Sequence, residues 1–327
     1  MDHIRRRQCL FAAGALLMGA MLPPLRAQAQ QAGRVYRIGV LFSGGSDTMQ
    51  PHQEAVRETL AKEGFVEHRN LQTTWRASGT GRNDDREIAR ELAATKPDAI
   101  LAFSTAMTQA AQWATNSIPI VFVHVSDPIS DGIVKDFARP GGNTTGVSTH
   151  HRELLGKRFE LLRELQPNAK RVALVAPYAT DPSYGASLPL IRDTAGRLNF
   201  EVIEVGPRNL WAIEEKRAEG MIVYAVLGQR LTTENLIAIA ARLRIASIFP
   251  DVESVMLGGL ASYGTDPLDD TRLGAALLAR VLNGAKPGDQ PVYQNSRFTL
   301  AINLKAARAL GITMRQTVLM RADRVIE

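Results

Sequence analysis

The stretch that most constrains the fold runs from Ile118 to Val123, an unbroken apolar segment near the middle of the chain. Such a run is typical of a strand buried on both faces of a parallel sheet. It ends at Ser126-Asp127-Pro128, a polar loop at the predicted carboxyl end of the strand, which is where ligands sit in open α/β sheets. Because Asp127 precedes a proline, we expect an extended backbone there that presents its carboxylate.

The same strand, loop and amphipathic helix pattern repeats on both sides of this stretch, with a break at the glycine turn Ala138–Asn143. Alternation of strands and helices indicates parallel sheets with right-handed crossovers. The sequence therefore predicts an α/β protein with two doubly wound parallel-sheet lobes joined by a hinge. Strands are predicted at 34–42, 71–75, 99–103, 118–123, 144–148, 171–176, 201–205, 220–226, 247–249, 260–264 and 297–302.

The break divides the chain into two lobes of similar size. The first lobe is predicted to comprise 34–148 plus about 265–290, and the second 149–262 plus about 291–327. The chain would then cross between the lobes three times. These crossings are expected near Thr145–Thr149, near Leu260–Gly264 and close to Gln290–Phe298.

The first 29 residues have the pattern of an export signal. Basic Arg5–Arg7 precede the apolar segment Leu10–Leu22, and Ala27-Gln28-Ala29 provides a small-residue cleavage site. An uncleaved membrane anchor is the alternative, but the segment is shorter than the roughly 20 residues that span a bilayer. We expect cleavage after Ala29 and a periplasmic mature protein. Both the Sec and the twin-arginine route remain open, since Arg6-Arg7 fits the latter.

Charge and cysteine content exclude several classes of protein. The formal net charge is +6, and half of it comes from four arginines less one aspartate within residues 1–29. The remainder carries no basic stripe with interleaved aromatic residues, so nucleic-acid binding is not expected. The only cysteine, Cys9, lies in the signal segment. The mature chain is therefore expected to have no disulfide, thiolate nucleophile or cysteine metal site.

Polar loops after the predicted strands supply the candidate ligand-binding residues. Ser104-Thr105 opens a helix, and its hydroxyls and backbone N–H groups suit a carboxylate, although an ordinary helix cap is the alternative. Asp127 suits an ammonium group, with a turn aspartate bonded to its own backbone as the alternative. Further candidates in such loops are Ser43, Gly44, Ser126 and Asp251.

Three tyrosines flank strands of the second lobe and are candidates for stacking on a ligand. They are Tyr178, Tyr184 and Tyr224. Aromatic rings provide a large apolar face for such contacts. The alternative is packing between helices, which is favoured for Tyr224 because its strand continues beyond it.

The sequence lacks the motifs of nucleotide, metal and catalytic sites. Gly44-Gly45 and Gly141-Gly142 match no phosphate-binding fingerprint. His150-His151 are adjacent residues, which point to opposite faces of a strand and chelate a metal poorly. Catalytic signatures such as G-x-S-x-G and H-E-x-x-H are missing. We therefore predict no enzyme activity, no cofactor and no metal.

Long motifs spread over nearly the whole mature chain resemble a family of bacterial ABC-transporter substrate-binding proteins, the group with tryptophan- and tyrosine-binding members. Their fold is the type I periplasmic-binding fold. The motifs are LAKEGFVE at 60–67, ATNSIPIV at 114–121, ARPGGNTTG at 138–146, GGLASYG at 258–264, LNGAKP at 282–287 and INLKAA at 302–307.

The resemblance implies a two-lobed monomer that captures a small molecule in the cleft by closing about its hinge. It also implies a membrane permease and its ATPase as partners. Together with the candidate residues, this predicts a small zwitterionic ligand, an amino acid or a relative of one. The alternative is a ligand-sensing input protein of the same fold, acting on a receptor or regulator. A repressor of this fold carries a DNA-binding helix pair before its first strand, where residues 1–33 instead form the export signal.

Overall fold

The computed structural model describes residues 33–78, 82–149, 151–176, 182–225 and 230–327. Its strands are β1 Tyr36–Ser43, β2 Leu71–Ser78, β3 Ala99–Phe103, β4 Ile120–Val125, β5 Thr144–Ser148, β6 Arg171–Val175, β7 Glu201–Val205, β8 Gly220–Val223, β9 Ala246–Phe249, β10 Ala261–Gly264, β11 Tyr293–Gln294, β12 Thr299–Asn303 and β13 Arg324–Ile326. Its helices are α1 Ser46–Lys62, α2 Arg82–Ala94, α3 Thr105–Ala114, α4 His151–Leu165, α5 Pro182–Arg197, α6 Ala212–Glu215, α7 Arg230–Leu243, α8 Val252–Met256, α9 Pro267–Leu282, α10 Leu304–Leu310 and α11 Gln316–Leu319, with a 3₁₀ turn at Pro287–Asp289.

The first of two sheets is parallel and has the strand order β11-β5-β4-β3-β1-β2. Side chains that alternate along β1 serve two cores. Val40 and Phe42 pack in one core with residues of α1 and α9, while Leu41 packs in another with residues of α2 and α3. We call this sheet, with α1, α2, α3 and α9, the first lobe.

The second sheet has the order β13-β12-β10-β9-β8-β6-β7 and is likewise covered on both faces. Phe159 of α4 and Ile191 of α5 belong to the core on one face, and Ile213 of α6 and Leu236 of α7 to the core on the other. We call this sheet, with α4 to α8, α10 and α11, the second lobe. The predicted architecture of two doubly wound α/β lobes is thus confirmed.

The second sheet is not wholly parallel, because β12 pairs antiparallel with β10. The reason lies in the path of the chain. Strand β11 runs toward the carboxyl edge of the first sheet, since it is parallel to β5. From there the chain enters the second sheet at its own carboxyl edge, so β12 must run in the opposite direction to its neighbour β10.

The chain passes between the sheets three times within the described residues. The first crossing follows β5 at Ser148-Thr149, the second follows β10 at Thr265-Asp266, and the third connects β11 to β12 through 295–298. The segment 261–264 belongs entirely to the second sheet, because it pairs with β9 and β12. The second crossing therefore begins one residue after it.

Helix α9 is translated after most of the second lobe, yet it packs on β4 of the first lobe. Gly274 makes this close approach possible, since a Cβ built there would overlap Val123 Cγ1. Among the described residues, no helix is both long and apolar enough to cross a membrane.

Gly274→Ala should lower the free energy of unfolding by about 1–3 kcal/mol, the usual effect of overpacking a core. Gly156→Ala on α4 is the matched control, because a Cβ there meets no atom within 4 Å. It should raise stability by about 0.4–1 kcal/mol through the loss of unfolded-state entropy. Urea denaturation compares the two. Equal effects of both substitutions would contradict the proposed packing.

Candidate functional site

Four of the predicted residues lie at the carboxyl edge of the first sheet. Ser43 is the exposed last residue of β1, and Gly44 follows it with φ +150°. Ser104 follows β3, and Ser126 follows β4. Parallel strands end at one edge of a sheet, and this edge is where ligands of such folds are bound. It is also where α3 of the first lobe approaches α5 of the second.

Ser104 caps α3 from a strained backbone conformation. Its dihedral angles are φ +86° and ψ 162°, a region that side chains other than glycine rarely adopt. Its Oγ accepts a hydrogen bond from Met107 N at 3.4 Å, and its own N–H donates to Val123 O at 2.9 Å. Such strain costs of order 1–3 kcal/mol and tends to persist at ligand clamps.

Thr105 is buried, and its hydroxyl is used within the first lobe. Its Oγ1 donates to Asp131 Oδ2 at 3.0 Å, while Gln109 Nε2 donates to Asp131 O at 2.9 Å. These two bonds fix the start of α3 to the turn that follows β4. The first N–H groups of a helix have no partner inside the helix, so this end of α3 presents donors.

Asp127 stands in that turn and is half-buried. Its Oδ1 accepts from Ser130 N at 3.0 Å and its Oδ2 accepts from Ser130 Oγ at 2.6 Å. The turn-aspartate geometry considered as an alternative is therefore present.

An aromatic cluster that the sequence analysis missed adjoins these loops. Its rings lie on four neighbouring strands and one helix, with centroids 5.0–6.3 Å apart. Two phenylalanines are buried, while the indole and both imidazoles are half-buried and leave part of their surface accessible. The members are Phe42, His52, Trp75, Phe103 and His124.

His124 reaches this cluster through a bulge in β4. The pairing of β4 with β5 shifts register between Phe122 and Val125, and His124 has φ +58°. Its Nε2 lies 2.9 Å from Pro267 O, an acceptor, so this nitrogen carries the proton. The bulge thus turns a histidine of an otherwise apolar strand toward the start of α9.

His52 of α1 lies against His124, with ring centroids 5.3 Å apart, and its Nδ1 is 2.8 Å from Thr271 Oγ1. Burial, and to a smaller extent the neighbouring His124, lower the pKa of His52 to about 3. His52 is therefore neutral throughout the physiological pH range. His52 therefore contributes an uncharged aromatic ring to the cluster.

The two candidate tyrosines that the structure describes are buried in the core of the second lobe. Tyr184 and Tyr224 pack edge to face with centroids 5.4 Å apart. Tyr184 donates to Glu204 Oε2 at 2.8 Å, and Tyr224 Oη lies 2.7 Å from Ser187 Oγ. Burial raises the pKa of Tyr184, and the bond to Glu204 does so too. Neither ring presents an open face to a ligand. This agrees with the alternative that these tyrosines serve packing. Tyr178 lies outside the described residues.

Asp251 is also buried, at the carboxyl end of β9, where it caps α8. It accepts from Ser254 N at 2.9 Å and from Ser254 Oγ at 3.1 Å. Burial raises its pKa, although these bonds and Arg158 act in the other direction.

Arg158 of α4 is a second feature that the sequence analysis missed. Its side chain is fully buried, and burial lowers its pKa to about 10. It donates to Tyr224 O at 2.7 Å and to Tyr263 O at 2.8 Å, which are the carbonyls at the ends of β8 and β10. With Asp251 nearby, one guanidinium therefore holds three adjacent strand ends of the second lobe in place.

Two surface depressions lie away from this edge. One, of about 840 Å³, is lined by Arg163 and Phe200 at the opposite end of the second sheet. The other, of about 590 Å³, lies beside the glycine turn at 140–144. In the first, Arg163 already donates to Ala169 O and Leu198 O and stacks 3.8 Å above the ring of Phe200. Its charge is thus used for structure, and the candidate site remains at the lobe interface.

Comparison with known proteins places the chain in a family. A family model described as ABC transporter substrate binding protein matches residues 37–326. The chain therefore belongs to this family of substrate-binding proteins, as its motifs predicted. The family consists of solute-binding proteins and not of enzymes, which confirms the prediction of a binding protein.

Individual relatives agree with this assignment. A tyrosine-binding protein of Clostridioides difficile is 29% identical over 267 residues, which is 78% of this chain and 75% of the relative. A conserved domain protein from Vibrio cholerae has 25% identity and a TM-score of 0.79, covering 89% of this chain and 100% of that one. A domain from Streptococcus pneumoniae, crystallised with L-Trp, has 24% identity, the same TM-score and the same coverage. These structures confirm the type I periplasmic-binding fold.

The environment of His52 predicts an acid-sensitive fold. Its folded pKa of about 3 lies below its ordinary 6.5. Between these values the unfolded chain binds a proton that the folded chain does not, so stability falls as the pH drops below about 6.5. The slope is at most about 1.4 kcal/mol per pH unit. His52→Gln should flatten this loss in urea unfolding between pH 7.5 and 5.0.

His68→Gln is the control for this experiment, because His68 is an exposed histidine of the same lobe. Its pH profile should follow that of the wild type. If the His52→Gln and wild-type profiles run parallel, the burial of a neutral His52 is refuted.

Proposed function

We propose that this chain is the exported solute-binding protein of an ABC importer and captures a small zwitterion, an amino acid or a close relative, between its lobes. A membrane permease and its ATPase would receive the ligand. Membership in the substrate-binding family supports the transport role. The observation that carries the ligand class is the bonding of the start of α3 to Asp131, which closes the turn that begins at Asp127 and so makes the helix start and Asp127 parts of neighbouring loops.

The carboxylate of the ligand would bind at the start of α3. Backbone N–H groups there point out of the helix, and the helix dipole favours a negative charge. Ser104, with its strained backbone, caps this end of the helix. The Thr105 hydroxyl is occupied by Asp131, so we assign it to holding the helix in position rather than to the ligand.

The ammonium group of the ligand would bind Asp127. The serine bonds to this carboxylate use one acceptor position on each oxygen. They also fix its orientation, which lowers the entropic cost of binding. A charge-assisted hydrogen bond is worth roughly 1.5–3 kcal/mol net, so this contact would supply a tenfold or larger gain in affinity.

The side chain of the ligand would lie against the half-buried rings of Trp75, His52 and His124. Because His52 is neutral, its ring and that of Trp75 favour an apolar or aromatic group over a charged one. The relative from Clostridioides difficile is named for tyrosine binding. We therefore place an aromatic amino acid first among the ligands to test.

Three probes test the zwitterion directly by calorimetry: L-tryptophan, indole-3-propionate, which lacks the ammonium group, and tryptamine, which lacks the carboxylate. L-Tryptophan should bind at least about tenfold more tightly than either analogue. Asp127→Asn should weaken L-tryptophan by at least about tenfold and leave indole-3-propionate unchanged. Asparagine keeps an acceptor for Ser130 N, so the turn is preserved.

Ser130→Ala is the matched control, since it removes one bond of the turn but no charge. It should change the affinity for L-tryptophan by less than about threefold, because the lost bond lies within the turn and the charge that would face the ligand is kept. An Asp127→Asn protein that binds all three probes as the wild type does would rule out the ammonium role. If the wild type binds none of the twenty amino acids, the proposed ligand class is wrong.

The export signal proposed for residues 1–29 predicts a mature protein beginning at Gln30. N-terminal sequencing of the protein recovered from the periplasm measures this start. The substitution Leu16→Lys, within the apolar segment, should abolish export, because a charge disrupts the apolar region of a signal. A wild-type protein retained in the cytosol would favour the sensing role instead.

A further inference from the structure

We propose that Asp270 is a positioning residue for ligand capture: its carboxylate joins the crossings between the lobes and sets the balance between open and closed forms. This inference rests on the proposed function only in taking capture to occur by lobe closure. It is tested below without any ligand.

Asp270 lies in the first turn of α9 and makes two hydrogen bonds to two different crossings. Its Oδ2 accepts from Thr265 Oγ1 at 2.8 Å, in the second crossing. Its Oδ1 accepts from Asn295 Nδ2 at 2.5 Å, in the third. The backbone N–H of Asn295 in turn donates to Ser148 O at 3.2 Å, at the first crossing. We call these four residues the hinge link.

All four residues of the hinge link are at most 3% exposed, although each carries polar groups. Buried polar groups cost free energy unless they are bonded, and their bonds are stronger away from water. Each bond of the link is therefore worth more than a surface hydrogen bond. The arrangement in which all are made is favoured over one in which the segments have rotated apart.

A hinge moves by changing the backbone angles of a few residues between rigid bodies. The three crossings are these residues here, since the rest of each lobe is held by its own sheet and helices. A group can shift the balance between open and closed forms only if its contacts differ between them. Asp270 meets this condition, because it belongs to the first lobe and bonds to segments that must rotate.

The surroundings of Asp270 connect its ionisation to this link. Burial raises its pKa, and Asp266 acts in the same direction. His124 on β4 acts in the opposite direction, and His52 on α1 packs against His124. Protonation converts one acceptor oxygen into a donor. The carboxyl group could then keep both bonds only by donating to the Thr265 hydroxyl, and neither bond would retain a charged acceptor.

The test measures lobe separation in the folded protein by electron spin resonance. Spin labels are attached to cysteines introduced at exposed Glu91 on α2 and Glu215 on α6, with Cys9→Ser removing the native thiol. Asp270→Asn retains the size of the side chain but removes its charge, so neither bond keeps a charged acceptor. The label distances report the populations of the open and closed forms. Asp270→Asn should change the ratio of these populations about tenfold, as expected for one charge-assisted bond that is present in only one form.

Asp85→Asn is the matched control, as it alters a buried carboxylate of α2, a helix that packs on β2 and α3. It should leave the ratio of open to closed populations unchanged even if it lowers the melting temperature. Thr265→Val tests the link independently and should shift the ratio in the same direction as Asp270→Asn. The double variant should shift the population ratio by less than the sum of the shifts, as free energies, of the two single variants.

A pH titration from 8 to 4 provides the last readout. The wild-type ratio should move toward that of Asp270→Asn as the pH falls, and the variant should respond less. A purely structural role would lower the melting temperature of Asp270→Asn without changing the distance distribution. That result, or additive effects of the two substitutions, would overturn the proposal.

Discussion

Parallel strand pairing is the constraint on which the rest of the molecule depends. It places the ends of β1, β3 and β4 at one edge of the first sheet, so residues far apart in sequence become neighbours there. The second sheet meets the hinge at its own carboxyl edge, which forces β12 to run antiparallel. Parallel pairing thus brings the candidate site together at the carboxyl edge and places the crossings between the lobes beside that site.

Two backbone distortions adapt this regular frame to binding. Ser104 occupies a conformation that rarely suits a side chain, and His124 sits in a bulge with positive φ. Each costs free energy that regular structure would not. The neighbouring sheet cores, with fully buried Val121 and Leu101, are rigid enough to hold both. In the second lobe the buried Arg158 has a related role, since it fixes strand ends through their carbonyl groups.

Much of the fold could be predicted because apolar runs such as 118–123 specify buried strands by themselves. The loop residues Ser104 and Asp127 could be found because each follows such a run. The aromatic cluster could not be predicted from the sequence, because its assembly depends on the register between neighbouring strands. That register places Trp75 beside Val40 and Phe103 beside Val123. A histidine at position 124 inside an apolar run was a usable signal. Burial of Tyr184 and Tyr224 depends on packing around Ser187 and Glu204, which no local pattern encodes.

The late position of α9 in the chain has a consequence for biosynthesis. Its residues Ala275 and Leu278 complete the same core as Val40 and Val121, yet the whole of β6 to β10 is made before them. The first lobe therefore cannot close its core while the ribosome is still synthesising the second. Contacts between such distant segments form slowly. A nascent chain of this topology therefore leaves the core of its first lobe incomplete until α9 has been made.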